Sequence, residues 1–372
     1  DEASEGSAVT YRTASCAEAK PVEASVKIVS VRGNVCELRF SVASQCDTYQ
    51  QKVSDEKAIW DWDDLMYEQN QVRLSSTQLG KGTYATVQRA TLASGTRVAA
   101  KIFKQMDQQL LRREIAVLSQ MAHLAHPHLC RLVGIVKGMP PTLLFELCSG
   151  GTLAALVHSP PPKGASGMSC EQGLTILTQV CQAVCHLHGR RIAHRDLKSN
   201  NILLVRHLTA DTMPWAKVTD MGLARWFEES AACGVTPFRA TRDDGRPPCF
   251  WHAPELSTIT YGLEVDVFSL GTLCFEVAAR RICHGDQLKI IRDARPEDLP
   301  EFFRLVLAAC APESSKRPTV QGLLHELTQV NARDMEVAKK WLNTVQPLDD
   351  AAGQPAGGKR GTEKGQAKAA GR

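Results

Sequence analysis

The stretch HRDLKSNNILL, His194–Leu204, decides how this chain is read. Downstream of it come TDMGLAR, Thr219–Arg225, and HAPE, His252–Glu255. Upstream stand LGKGTYATV, Leu79–Val87, and VAAK, Val98–Lys101. Each motif alone is short enough to arise by chance; the full set in this order and spacing is not. In the first upstream motif Gly80 and Gly82 lie between strand-like segments, and a glycine-rich turn lets backbone N–H groups approach phosphate oxygens with no side chain in the way. Lys101 ends a strand-like run, which alone is most simply a solvated edge charge. It gains weight from Glu114 in the helical stretch QQLLRREIAVL, residues 108–118. A carboxylate reaching back would keep the ammonium charged and aimed at phosphate oxygens.

Taken together, these motifs resemble the eukaryotic protein kinase family from about residue 72 to about residue 327. The resemblance implies an α+β, bilobal protein kinase fold: a β-rich N-lobe with one key helix and a mostly helical C-lobe. It implies ATP and Mg²⁺ as cofactors and protein substrates as partners. Asp196 is then the catalytic base, Lys198 balances charge on the transferring phosphoryl group, and Asn201 and Asp220 are the Mg²⁺ ligands. Lys101 holds phosphates and Glu114 positions Lys101. Leu79, Gly80, Lys81, Gly82, Thr83, Tyr84 and Ala85 form the loop over ATP, with Ala85 where a third glycine is usual. Val87, Ala99 and Leu203 sandwich the adenine, Glu146 and Cys148 offer it backbone hydrogen bonds, and Phe145 is the gatekeeper. Leu118, Leu132, His194 and Met221 match a stacked apolar column, Met221 standing where Phe is usual. Asp266 anchors the catalytic loop, and Arg317 is the buried partner of Glu255. Arg195 before the base points to control by phosphorylation of the segment between Asp220 and Glu255, where Ser230, Thr236 and Thr241 are the candidate acceptors; each also reads as an ordinary loop hydroxyl.

The acceptor is read from two conflicting signals. Lys198 and the string HRDLKSNN look like serine/threonine kinases, whereas Pro248 before HAPE looks like tyrosine kinases. The combination most resembles the tyrosine-kinase-like group, whose members mostly phosphorylate Ser and Thr. A dual-specificity or tyrosine kinase, and a pseudokinase scaffold that keeps nucleotide binding, remain as alternatives. The scaffold reading is weakened because Lys101, Asp196 and Asp220 are all present.

Composition bounds the rest. The chain has 372 residues, 43% hydrophobic and 23% charged, enough for one large core or two modest ones. A net charge of +4 demands no nucleic-acid partner. Thirteen cysteines, an odd number with no repeated C-x-x-C pairs, read as reduced thiols in an intracellular, cytoplasmic protein. No apolar run is long enough for a transmembrane segment; the best, Leu263 to Ala279, contains Glu264, Asp266 and Glu276. Residues 1–25 read as disordered. Residues 26–70 read as a β-hairpin turning at Arg32-Gly33-Asn34, then an acidic-aromatic linker with Trp60 and Trp62, open to a regulatory partner. The kinase-like domain is expected over 72–330, a C-terminal helix over 331–347 and a disordered basic tail over 348–372. The chain opens on Asp1 rather than Met, so a piece of a longer protein stays open.

Overall fold

A computed structural model describes residues 9–12, 23–31, 35–42, 65–82, 85–104, 126–137, 140, 142–158, 167–226, 249–257, 261–281 and 285–346, with the first three stretches as backbone. Three antiparallel strands come first: β1 (Val9–Arg12), β2 (Glu23–Val31) and β3 (Val35–Val42), in the order β1-β2-β3. Val31 pairs with Val35, and Arg32-Gly33-Asn34, where the hairpin is expected to turn, lie outside the described residues. Strand β1 and the start of β2 correct the reading of residues 1–25 as without structure. Val9, Thr10 and Tyr11 are β-branched or aromatic and pair along the edge of β2.

The second sheet has six strands: β4 (Met66–Tyr67), β5 (Val72–Lys81), β6 (Ala85–Leu92), β7 (Arg97–Phe103), β8 (Leu132–Val136) and β9 (Thr142–Glu146). Their order is β4-β8-β9-β7-β6-β5, with only β4 parallel to its neighbour. Strand β4 brings Met66 and Tyr67 into this sheet, so it begins before the boundary expected at residue 72. Alternation gives the sheet two packed faces. Ala90, Leu92, Val98, Ala100 and Leu144 form a small core on one face. On the other, Phe103, Leu143 and Phe145 join the large core that continues into the helices.

The helical part contains α1 (Leu153–His158), α2 (Cys170–His188), α3 (Glu264–Ala279), α4 (Gly285–Asp293), α5 (Glu301–Ala309), α6 (Val320–Gln329) and α7 (Ala332–Val345). The caps are legible. Ser169 and Gln172 form a capping box on α2, as Asn331 and Asp334 do on α7, and Thr319 accepts from Gly322 N at the start of α6. Helix α3 is buried on all sides from Val265 to Ala279. It ends at Arg280, in the left-handed region at φ 56°. Helix α7 is part of the same core: Met335, Ala338 and Leu342 are buried, and the Trp341 ring lies 5.8 Å from that of Phe303. No helix among the described residues is long and apolar enough to cross a membrane.

Four short strands frame the residues quoted first. β10 (Ile192–Ala193) pairs with β13 (Arg225–Trp226), and β11 (Ile202–Leu204) pairs with β12 (Ala216–Val218). These two ladders lay residues 194–201 alongside residues 219–224.

Close packing of α3 against α5 gives a direct test. A Cβ on Gly271 would stand 2.5 Å from Cys310 Sγ and 2.8 Å from Ala309 Cβ, closer than side chains tolerate. We expect Gly271→Ala to destabilise the domain by about 1–3 kcal/mol, the usual range for overpacking. The urea midpoint of unfolding measures it, and an unchanged midpoint would mean the two helices part at little cost.

Candidate active site

The site is built from α3 outward. Asp266 is fully buried, and its carboxylate accepts from the backbone N–H groups of His194 and Arg195, both at 2.8 Å, and faces His188 Nε2 at 2.9 Å. Burial pushes its pKa up, but the His188 contact and charge, His194 and the Arg195 N–H outweigh this and hold Asp266 below the usual carboxylate range. Arg195 sits at φ 68°, a left-handed conformation costly for a non-glycine residue and fixed here by the Asp266 bond. Asp266 thus ties α3 to the backbone of the loop that carries Asp196.

The anchored loop presents Asp196. Its Oδ2 accepts from Lys198 Nζ at 2.6 Å and from Asn201 Nδ2 at 3.0 Å. Asn201 Nδ2 also donates to the Asp196 carbonyl at 2.7 Å. His194 Nδ1 accepts from Asp196 N at 3.3 Å, so Nε2 carries the proton and donates to Thr219 O at 3.0 Å. Thr219 N in turn donates to Asn201 O at 2.9 Å. These bonds stitch the Asp196 loop to the segment carrying Asp220. Burial pushes Asp196 up, but nearby His252 and Lys198 outweigh it and hold the carboxyl at about 2. His252 Nε2 stands 3.7 Å away, so it acts by proximity rather than as a hydrogen bond.

Asp220 also adopts the left-handed region, φ 67° and ψ 73°. Its Oδ1 meets Lys101 Nζ at 2.9 Å, joining β7 of the sheet to the helical part. Surrounding protein pushes Asp220 up, and the Lys101 ammonium overrides this to hold it low. Glu114, Leu118, Thr83 and Tyr84 lie outside the described residues, as do Ser230, Thr236 and Thr241.

The glycine-rich segment is the β5–β6 hairpin. Gly82 N donates to Ala85 O at 2.8 Å, and Lys104 Nζ donates to Gly82 O at 2.6 Å. Gly80 pairs with Val87 and Lys81 with Thr86, while Leu79 is exposed. Ala85 is buried opposite Phe103, a place that suits a small apolar residue. Register pairs Val87 with Lys101 and Ala99 with Phe145, so these residues share the Lys101 face of the sheet. Val87, Ala99 and Leu203 are half-buried, whereas Phe145 is buried. Leu132, His194 and Met221 are buried in the interior of the domain.

Glu146 takes a role the sequence reading missed. Its Oε1 accepts from Arg131 N at 2.7 Å and from the buried Lys217 Nζ at 2.8 Å. The carboxylate is thus occupied, and Glu146 N donates to Arg131 O at 3.0 Å, which leaves the carbonyl as the group best placed for a ligand. A lysine inside the apolar run AKV, ahead of Asp220, was the available signal. Cys148 is half-buried; its thiol pKa is lowered by the neighbouring Cys130 thiol, whose own pKa is raised by Cys148 and by burial. Arg317 binds Glu255 through two nitrogens, at 2.5 and 2.9 Å, and also donates to Ala311 O, Pro312 O and Glu264 O. Trp251 Nε1 donates to Asp196 Oδ1 at 3.1 Å, a contact no motif announced.

The donor set fits Mg²⁺ held together with phosphates. With its amide nitrogen committed twice to Asp196, Asn201 offers its oxygen as the remaining group, and Asp220 offers a carboxylate. Among the described residues no cluster of three or more His, Cys, Asp or Glu side chains is placed to hold a metal. Two hard oxygen ligands suit an ion that completes its shell with water and phosphate oxygens.

A family model described as the protein kinase domain matches residues 74–342. The chain belongs to the protein kinase family. Its kinase relatives differ in acceptor. A probable serine/threonine-protein kinase of Dictyostelium discoideum is 29% identical over 292 residues, 76% of this chain and 43% of that protein. The tyrosine-protein kinase csk-1 of Caenorhabditis elegans is 27% identical over 291 residues, 75% of this chain and 50% of that protein. Myosin-IIIa of Homo sapiens is 30% identical over 292 residues, 70% of this chain and 17% of that protein. The chain thus spans half or less of the length of these relatives. The match also reaches into α7, which extends the kinase domain past the boundary expected at residue 330.

The lowered pKa of Asp196 fixes the sign of an acid effect. The unfolded chain takes up this proton near 3.8 and the folded one at about 2. Its stabilising contribution is full above about pH 4 and is lost as pH falls through about 2. Thermal melts of wild type and Asp196→Asn across that window test this; the wild-type Tm falls more steeply, and parallel curves would refute the assignment.

Proposed function

We propose that this protein kinase transfers the γ-phosphoryl group of ATP to serine and threonine hydroxyls of protein substrates. The observation that carries the reading is the convergence of Lys101, Asp220, Asn201 and Asp196, linked by contacts of 2.6 to 3.0 Å through Lys198 and the loop backbone. Bound ATP with Mg²⁺ supplies the electrophilic phosphorus and the ADP leaving group. Asp220 and the Asn201 oxygen would hold the metal, and Lys101 would bind phosphate oxygens. Asp196, ionised at neutral pH, orients the acceptor hydroxyl and takes its proton as the new O–P bond forms and the bond to ADP breaks. Lys198 neutralises charge on the group in transit. The β5–β6 hairpin would cover the phosphates, and the Glu146 and Cys148 backbone would receive the adenine.

Lys198, two residues past Asp196, supports a serine/threonine acceptor. Pro248 and the likeness to a tyrosine-protein kinase favour the alternative of tyrosine or dual specificity. A scaffold that only binds nucleotide is disfavoured by the intact set of charges. The free thiols among the described cysteines support an intracellular, cytoplasmic setting. A partner for residues 1–70 remains part of this reading, and residues 1–70 alone should retain it in a pull-down.

Asp196→Asn should reduce transfer by roughly 10²- to 10⁴-fold, the range for losing a general base, with Mg·ATP affinity nearly unchanged. Asp220→Asn should weaken Mg·ATP binding as well. Isothermal titration with a nonhydrolysable ATP analogue and a radiolabel transfer assay separate the two effects. Phosphoamino-acid analysis of the self-labelled protein should give phosphoserine and phosphothreonine. Phosphotyrosine alone would overturn the acceptor assignment, and no labelling of itself or of generic substrates would favour the scaffold.

A further inference from the structure

The roles above leave Trp251 unused, although it touches the centre of the site. Its indole Nε1–H donates to Asp196 Oδ1 at 3.1 Å. The Lys198 ammonium lies 5.0 Å from the centre of its ring, within cation–π range. The Trp251 carbonyl accepts from Ser269 Oγ at 2.6 Å. The rings of Phe250 and His252 flank it at 4.6 and 5.6 Å. His252 Nδ1 accepts from Cys249 N at 3.4 Å, so its Nε2 carries the proton. That Nε2–H is buried, has no hydrogen-bond partner among the described residues, and stands 3.7 Å from the same Asp196 oxygen.

The rotation of Asp196 explains why this matters. Lys198 and Asn201 both bind Oδ2. Both donors come from the same loop as Asp196 and hold one oxygen only, so the soft final torsion of the aspartate is restrained from one side alone. A donor on Oδ1 supplies the missing constraint. We propose that Trp251 is the positioning residue for Asp196. Its indole N–H fixes the carboxylate plane and leaves one lone pair of Oδ1 for the acceptor hydroxyl, beside the His252 N–H. The inference rests on Asp196 acting as the base.

Helix α3 makes the grip stiff. Asp266 holds the backbone of the loop that carries Asp196, and Ser269, one turn further along the same helix, holds the backbone of Trp251. Base and clamp are thus referenced to one turn of one buried helix.

Trp251→Phe removes the N–H and keeps an aromatic face for Lys198. We expect kcat to fall roughly 10- to 100-fold, as for loss of a hydrogen bond to a charged group, with KM for ATP within about twofold of wild type. A structural role alone would not give the companion readout. The indole Nε1–H NMR resonance of Trp251, assigned by its disappearance in Trp251→Phe, should shift in Asp196→Asn. Should Trp251→Phe not fold, Ser269→Ala should move the same resonance and lower kcat in the same direction. An unchanged kcat in Trp251→Phe, or a resonance indifferent to Asp196→Asn, overturns the proposal. If Asp196→Asn itself keeps full transfer, the base assignment fails first, and the clamp falls with it.

Discussion

One buried carboxylate sets the geometry of everything around it. Asp266 has no exposed surface, and its stability as an anion depends on the groups that bind it. Two of these are the N–H groups of His194 and Arg195, which are backbone and cannot rotate away. Fixing two successive peptide units fixes the direction in which the next residue, Asp196, leaves the chain. The left-handed turn at Arg195 is the conformational cost of that direction. A helix interior is a suitable base for such a constraint. Helix α3 is packed on every side, so its side chains have little freedom to drift.

Charge is balanced pair by pair in the site. Asp196 has Lys198, and Asp220 has Lys101. Both carboxylates are pushed toward neutrality by the protein around them, and both are held ionised by their neighbours, Asp196 by His252 and Lys198 and Asp220 by Lys101. The Lys101–Asp220 pair also spans the sheet and the helical part, so the two halves of the domain meet at a contact between opposite charges. Such a pair is a natural place for a polyanion to enter, because an ammonium and a metal-binding carboxylate each find a partner in a phosphate group with its cation.

Much of this was legible because motif residues sit close in sequence and carry distinct chemistry. The strand alternation around Lys101 could be read from the residues, whereas the roles of the loop from His194 to Asn201, of Asp266 and of Arg317 came only through the family resemblance. What could not be read came from long-range packing. Nothing local says that Trp251 reaches back to Asp196 or that Lys217 turns inward to Glu146, since the partners lie 55 and 71 positions apart. The first strand of the sheet and the packing of the last helix could not be read either, for a physical reason. Met66 and Tyr67 form too short a run to signal a strand, and β8 recruits them by pairing. Helix α7 reads as a separate amphipathic helix until its apolar stripe, Met335, Ala338 and Leu342, is seen against the core.

Arg317–Glu255 and Lys217–Glu146, two ion pairs among the described residues, share a logic that sequence does not display. Each removes a cation from water, which costs as much as the attraction returns. Apolar pairs of similar size would hold the domain together about as well. An apolar pair, however, tolerates sliding, whereas a two-pronged guanidinium or a lysine already shared with a backbone carbonyl does not. Glu255 closes the segment that carries Trp251, and Glu146 sits where the sheet passes into the helical part. Directional bonds stand at the two places where a shift of register would move the residues around Asp196 and Asp220 out of line.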